Sequence, residues 1–233
     1  VVPTGNFGNI LAAYFAKQMG VPFGKLICAS NDNKVLYDFF RTGTYDNNRE
    51  FILTTSPSMD ILVSSNLERL LYLSCGRDAA KTKELMEQLS KNGKYEITPE
   101  MKEFMKDFSA GYADMEENAK EIKKVFDDTG YLIDTHTGVA AAVYEQYKTK
   151  TGDTTKTIIA STASPYKFSR SVMEAVLGKK EDTDEFALID EMERISGVKI
   201  PQAIEEIRDA KILHNRQCKP EEMEETVKQT FSK

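Results

Sequence analysis

The chain predicts an α/β fold, a parallel sheet flanked by helices, on three observations. Short apolar runs alternate with one-sided helical patterns, as strands joined by crossover helices do. The runs are continuous rather than alternating, as strands covered on both faces require. Polar segments follow them directly, at 4–9, 134–138 and 161–165, with 56–60 as a fourth. An open parallel sheet binds ligands there, beyond the carboxyl ends of its strands.

In order, Val1-Val2 is a strand that enters the turn Pro3-Thr4-Gly5-Asn6-Phe7-Gly8-Asn9 with almost nothing before it. The chain therefore reads as a piece of a larger protein, beginning inside its fold. Gly5 and Gly8 are placed for positive φ and close backbone approach. The helix that follows over 10–19 offers unpaired N–H groups and a dipole to an anion. The turn is neither GxGxxG nor GxxxxGK[ST], so dinucleotide and nucleoside-triphosphate loops lose support. Leu26-Ile27-Cys28-Ala29 is a second strand. Asn31-Asp32-Asn33 caps a helix with Val35, Leu36, Phe39 and Phe40 on one face and Gly43 near its end. Phe51-Ile52-Leu53 is a further strand candidate. Ser65 and Glu68 fit a capping box for the helix carrying Leu67, Leu70 and Leu71.

From 77 to 128 charged helical patterns dominate, with Thr98-Pro99-Glu100 as a helix start and Phe104, Met105 and Phe108 at helical spacing. This segment is expected to be a helical insertion, ended by Asp128-Thr129-Gly130. Tyr131-Leu132-Ile133 then leads to Asp134-Thr135-His136-Thr137-Gly138 and a helix to about Lys148. Thr157-Ile158-Ile159-Ala160 is a strand that stops at Ser161-Thr162-Ala163-Ser164-Pro165. Helices close the chain, with Phe186, Ile189 and Met192 as an apolar stripe and a charged final helix within 216–233.

With 233 residues, 40% hydrophobic and 29% charged, the composition is that of a soluble globular protein. A net charge of −6 without a basic cluster argues against a nucleic-acid partner. No apolar run approaches the roughly 20 residues that span a bilayer, which argues against a membrane partner. Cys28, Cys75 and Cys218 form neither CxxC nor a Cys/His cluster. They read as reduced thiols of a cytoplasmic protein, with no metal site.

The segments 3–9, Ser30-Asn31-Asp32-Asn33, Phe40-Arg41-Thr42-Gly43 and Ser56-Pro57-Ser58-Met59-Asp60-Ile61 go together with four more features of the chain. These are Ser65-Asn66-Leu67-Glu68-Arg69, Asp134-Thr135-His136-Thr137-Gly138-Val139, the 161–168 segment ending Tyr166-Lys167-Phe168, and their common order. Together they resemble the threonine synthase family, pyridoxal-phosphate enzymes of the tryptophan-synthase-β fold type, also called fold type II. The resemblance runs from residue 1 to about 169.

The resemblance implies that Gly5, Asn6, Phe7, Gly8 and Asn9 hold the phosphate of pyridoxal 5'-phosphate. It sets Thr162 against the pyridine nitrogen, where a hydroxyl donates a hydrogen bond without forcing protonation. The family's substrate is O-phospho-L-homoserine, whose phosphate needs a second site. Asn66 and Arg69, in a first helical turn, are the candidates, and His136 would line the cavity. The family's Schiff-base lysine lies upstream of the phosphate loop, and no lysine here has its surroundings. No catalytic residue is therefore assigned, and the chain is expected to be inactive without a missing N-terminal half.

In these terms 1–76 and 129–215 form a partial cofactor domain, 77–128 a helical insertion and 216–233 a terminal helix. Other readings stay open. A serine/threonine dehydratase or cysteine synthase shares the fold type, and a non-catalytic module could bind a phosphorylated metabolite. The oligomeric state is also open.

Overall fold

The computed structural model describes residues 1–180 and 182–232. β1 (Val2–Pro3) leads to α1 (Gly8–Gln18), β2 (Leu26–Ser30), α2 (Val35–Thr42) and β3 (Thr44–Asp46). An irregular loop with a 3-10 turn at Pro57–Met59 precedes α3 (Leu67–Ser74), α4 (Ala79–Asn92) and β4 (Lys94–Glu96). Next come α5 (Pro99–Phe104), β5 (Phe108–Tyr112), α6 (Met115–Thr129) and α7 (Thr135–Thr151). A 3-10 turn at Pro165–Phe168 then opens α8 (Ser169–Leu177) and α9 (Glu185–Ser196). All of these belong to one compact unit, Val1–Val198. A second unit starts at Lys199 and holds α10 (Gln202–Arg208) and α11 (Met223–Phe231), neither with a buried residue.

β1, β2 and β5 form a parallel sheet in that order, with Leu26–Ser30 in register with Phe108–Tyr112. The segment 157–160 extends the β1 edge. Val1 N donates to Ile158 O at 2.8 Å and Ala160 N to Val1 O at 2.9 Å, the pattern of a parallel neighbour. Every β2 residue is buried. Leu26 and Cys28 pack with residues of α1 and α2, whereas Ile27 and Ala29 pack with Val139, Ala140 and Val143 of α7. That two-sided cover is why the run is continuously apolar. Helix α7 lies close because Gly111 has no side chain; a Cβ there would stand 2.6 Å from Val143 Cγ1.

The structure corrects several expectations. The segment 77–128 is not wholly helical, since it contains β4 and the sheet strand β5. Phe108 has helical spacing to Phe104, but its ring meets Phe40 at 5.3 Å and Phe7 at 5.8 Å while its backbone pairs with β2. Tertiary burial there outweighs local propensity. Within the same segment β4 pairs antiparallel with β3, stacking Tyr95 on Tyr45 at 5.2 Å.

Phe51-Ile52-Leu53 is a loop. The side-chain amide of Asn33 replaces a strand neighbour, donating to Ile52 O at 2.9 Å and accepting from Ile52 N at 3.0 Å. Tyr131-Leu132-Ile133 is likewise irregular chain between α6 and α7. Asn31 and Asn33 do not cap α2, whose N-cap is Lys34; they hydrogen-bond Asp60 instead. Ser65 does not cap α3, because its hydroxyl donates to Asn6 Oδ1 at 2.8 Å. The Thr98 cap stands, accepting from Met101 N at 3.3 Å.

Candidate functional site

The loop after β1 is fastened from below and from the side. Thr4 N–H donates to Ala29 O at 2.8 Å, continuing the sheet, and Ser64 Oγ donates to Gly5 O at 2.8 Å. Asn6 Oδ1 accepts from Ser65 N at 2.7 Å, and Asn66 Nδ2 donates to Asn6 O at 2.8 Å. The left-handed residue of the turn is Phe7, at φ 61°, and neither Gly5 nor Gly8 has positive φ. A bulky residue is rarely held so. Here its ring is buried between Phe40 and Phe108, at centroid distances of 5.9 and 5.8 Å. The side chain of Phe7 thus belongs to the core.

The two glycines have different reasons. A Cβ on Gly5 would lie 2.9 Å from Met59 Cα, so close backbone approach requires glycine there. A Cβ on Gly8 would meet only Asn66 Nδ2, at 3.7 Å. Gly8 therefore leaves space.

That space is a cavity of about 490 Å³ at the carboxyl ends of the strands. It brings together Gly5, Asn6, Phe7, Gly8 and Asn9 with Asn66, His136 and Thr162. Arg69 is not among its walls. Its Nη1 donates to Asn66 Oδ1 at 2.6 Å, and it lines a separate groove with Phe15, Tyr72 and Met86. The cavity is also lined by Ser58 and Lys167, which lie within the segments 56–61 and 161–168 and had no role there. Their shared signal was a proline one or two residues earlier (Pro57 and Pro165), starting a 3-10 turn at the mouth of the sheet.

The cavity favours negative charge. Helix α1 has no acidic residue in its first turn and no side-chain cap, and its first intrahelical bond is Leu11 N–H to Phe7 O at 3.2 Å. The amides of Gly8, Asn9 and Ile10 precede that bond, at the positive end of the dipole. Residues 3–9 are all uncharged, and Lys167 is among the residues that line the cavity.

His136 is 2% exposed. Its Nε2 accepts from Ser58 N–H at 3.2 Å, which puts the ring proton on Nδ1, 3.1 Å from Asp134 Oδ1. Both ring nitrogens are therefore engaged, and the imidazole bolts the 56–60 loop to α7. Asp134 is fully buried and caps α7, accepting from His136 N at 2.8 Å and Thr137 N at 3.3 Å. Burial pushes its carboxyl pKa up, but hydrogen bonds from His136 and Thr137 outweigh this and hold it below the usual value.

A carboxyl with a depressed folded pKa contributes stability that is complete above its unfolded value, about 3.9, and lost as pH falls through the folded value. Denaturant midpoints measured from pH 7 to pH 3 should therefore fall below about pH 4. Asp134→Asn should be less stable at pH 7 and show a flatter acid limb. An unchanged limb would remove Asp134 from the account.

Comparison with known proteins gives the chain's relatives. Residues 137–212 match the family described as Threonine synthase, C-terminal. Threonine synthase of Saccharomyces cerevisiae is 36% identical over 232 residues, covering 92% of this chain and 45% of the yeast protein. Threonine synthase-like 1 of Homo sapiens is 44% identical over 177 residues, covering 75% of this chain and 23% of the human protein. The crystal structure of threonine synthase from yeast superposes with a TM-score of 0.73 at 35% identity, covering 85% of this chain and 42% of that one. The pyridoxal-phosphate-bound threonine synthase from Brucella melitensis gives 0.68 at 36% identity, covering 85% and 41%. The chain thus spans less than half the length of these relatives. Its α/β architecture is that of the fold-type II enzymes, and over this span the chain is similar to the threonine synthases.

Proposed function

We propose that the full-length protein is a pyridoxal-phosphate-dependent threonine synthase, converting O-phospho-L-homoserine and water to L-threonine and phosphate. One observation carries the reading: an uncapped helix N-terminus opens beside a side-chain-free Gly8 into a cavity at the sheet's carboxyl edge. The space and the three leading amides suit a phosphate, so the residues present fit the coenzyme. Gly8, Asn9 and Ile10 would bind its phosphate through backbone N–H groups, and Asn6 would support the loop. Thr162 would donate its hydroxyl to the ring nitrogen. When bound, the coenzyme supplies an electron sink for loss of phosphate from Cγ and addition of water at Cβ.

This chain's part in that chemistry is to bind and orient. His136, with both nitrogens engaged, keeps Ser58 and Met59 against Gly5 and so shapes the wall. The lysine that carries the coenzyme would reside in a part of the protein outside this chain, and the chain alone would be inactive.

Supplying O-phospho-L-homoserine to the full-length protein should release phosphate and L-threonine in equal amounts, with the coenzyme's visible absorbance present. Release of a 2-oxo acid and ammonia from L-serine or L-threonine instead would make the protein a dehydratase of the same fold type. Binding of the phosphorylated substrate without turnover would make it a binding module.

A further inference from the structure

We propose that the hydroxyls of Thr137 and Ser161, anchored on the buried carboxylate of Asp134, position Thr162 so that its own hydroxyl meets the ring nitrogen of the coenzyme. The inference rests on the functional reading given above, in which Thr162 faces that nitrogen. Thr137 and Ser161 are then positioning residues, acting through their neighbour.

Thr162 lines the cavity, and among the described residues nothing hydrogen-bonds its side chain. Its backbone is lightly fastened as well. Ala160 N donates to Val1 O at 2.9 Å, and Ser164 Oγ accepts from Tyr166 N at 3.3 Å. Between these two points the described chain makes a single hydrogen bond, through Ser161 Oγ, 3.3 Å from Thr137 Oγ1. Ser161 turns to α7 while Thr162 turns to the cavity, as successive side chains of an extended chain do. Holding the first therefore aims the second.

The anchor is rigid and its polarity is fixed. Thr137 is 5% exposed, in the first turn of α7, and its hydroxyl also reaches Asp134 Oδ2. That turn sits hard against α6: a Cβ on Gly138 would stand 2.7 Å from Ile122 Cγ1. A carboxylate only accepts, and the Thr137 hydroxyl has one proton, so that proton goes to Asp134. Thr137 Oγ1 is then the acceptor for the Ser161 hydroxyl. Through Oδ1, Asp134 also holds the His136 ring that fastens Ser58. One buried charge thus secures two walls of the cavity, the loop carrying Ser58 and the segment carrying Thr162.

The test uses the full-length protein and measures coenzyme dissociation by equilibrium dialysis, together with the visible band of the bound coenzyme. Ser161→Ala should raise the dissociation constant about three- to tenfold, the range of one lost hydrogen bond. It should also shift the band in the same direction as Thr162→Val. Its thermal midpoint without coenzyme should match the parent's, because Ser161 is exposed and Thr137 keeps its bond to Asp134. Thr137→Val should weaken the coenzyme likewise, and Thr137→Ser should stay within about twofold of the parent. The deciding arm is the double variant. In a Thr162→Val background, Ser161→Ala should have no further effect on affinity, since both changes remove one interaction. An unchanged constant in Ser161→Ala, or an effect that persists in full beside Thr162→Val, overturns the inference. A lowered thermal midpoint with affinity intact overturns it too, by making Ser161 a purely structural residue. A full-length protein that takes up no coenzyme refutes the functional reading instead, a result distinct from any of these.

Discussion

Replacing Gly8 by aspartate in the full-length protein should abolish retention of pyridoxal phosphate while leaving the fold intact. Gly8 has no positive φ, so a side chain costs no backbone strain. The nearest atom to a new Cβ is Asn66 Nδ2, at 3.7 Å, so nothing need move. As the first residue of α1, an aspartate even favours the helix, by about 0.5 kcal/mol through the dipole. In the function proposed above, the same carboxylate stands where the coenzyme's phosphate would bind. Two unit charges about 4 Å apart repel by about 4 kcal/mol at an effective dielectric constant near 20. That corresponds to a loss on the order of a thousandfold in affinity.

Stability and binding should therefore move in opposite directions, which separates this outcome from simple misfolding. Gly8→Ala is the control. It fills the space without charge and should weaken the coenzyme far less. Absorbance of bound coenzyme after dialysis, alongside the thermal midpoint, reads both quantities. Full occupancy in Gly8→Asp would detach this loop from the coenzyme.

The largest loss of stability near the site is expected from Asp60→Ala. The Asp60 carboxylate accepts from Asn31 Nδ2 at 2.8 Å, Asn33 Nδ2 at 3.1 Å, Thr54 Oγ1 at 2.7 Å and Thr54 N at 2.9 Å. Asn31 and Asn33 are 3% and 2% exposed; Asn31 Nδ2 keeps Thr54 Oγ1 and Ser56 Oγ and Asn33 Nδ2 keeps Ile52 O, but each buried amide loses one acceptor when the carboxylate is removed. Leaving buried donors unpaired costs about 1–3 kcal/mol each, and members of one network do not add independently. A destabilisation of about 3 kcal/mol is the expected result.

The loop pinned by Asp60 carries Ser58 and Met59 to the cavity, so coenzyme occupancy should fall as well. Asp60→Asn keeps one accepting oxygen and should lie between the two. A denaturant midpoint for Asp60→Ala equal to the parent's would show that other contacts hold the loop.

Much of this was legible in linear order. The apolar run 26–29 had to be covered on both sides, and β2 is; the Gly- and Asn-rich turn had to open a helix, and α1 begins at Gly8. Local chemistry also announced the Thr98 cap and the left-handed Gly43 that ends α2. Where side chains had a choice between a neighbour in sequence and one far away, local rules failed. Asn31, Asn33 and Ser65 are good caps by residue type, yet each serves a partner at least 27 residues distant. Arg69 sat three residues from Asn66 in the sequence and on the same helical turn, which says nothing about which of two cavities it faces.

The strands β1 and β2, the uncharged Gly- and Asn-rich turn that opens α1 and the family likeness were determined by the sequence, because periodicity, glycine placement and helix polarity are properties of a local stretch of chain. Tertiary structure alone decided that Phe108 is a strand residue, that Phe7 takes the left-handed conformation, and that Lys167 lines the cavity while Arg69 lines a separate groove. Each of these depends on which distant surfaces meet, and burial of an aromatic ring or satisfaction of a buried amide outweighs a local preference worth less than about 1 kcal/mol.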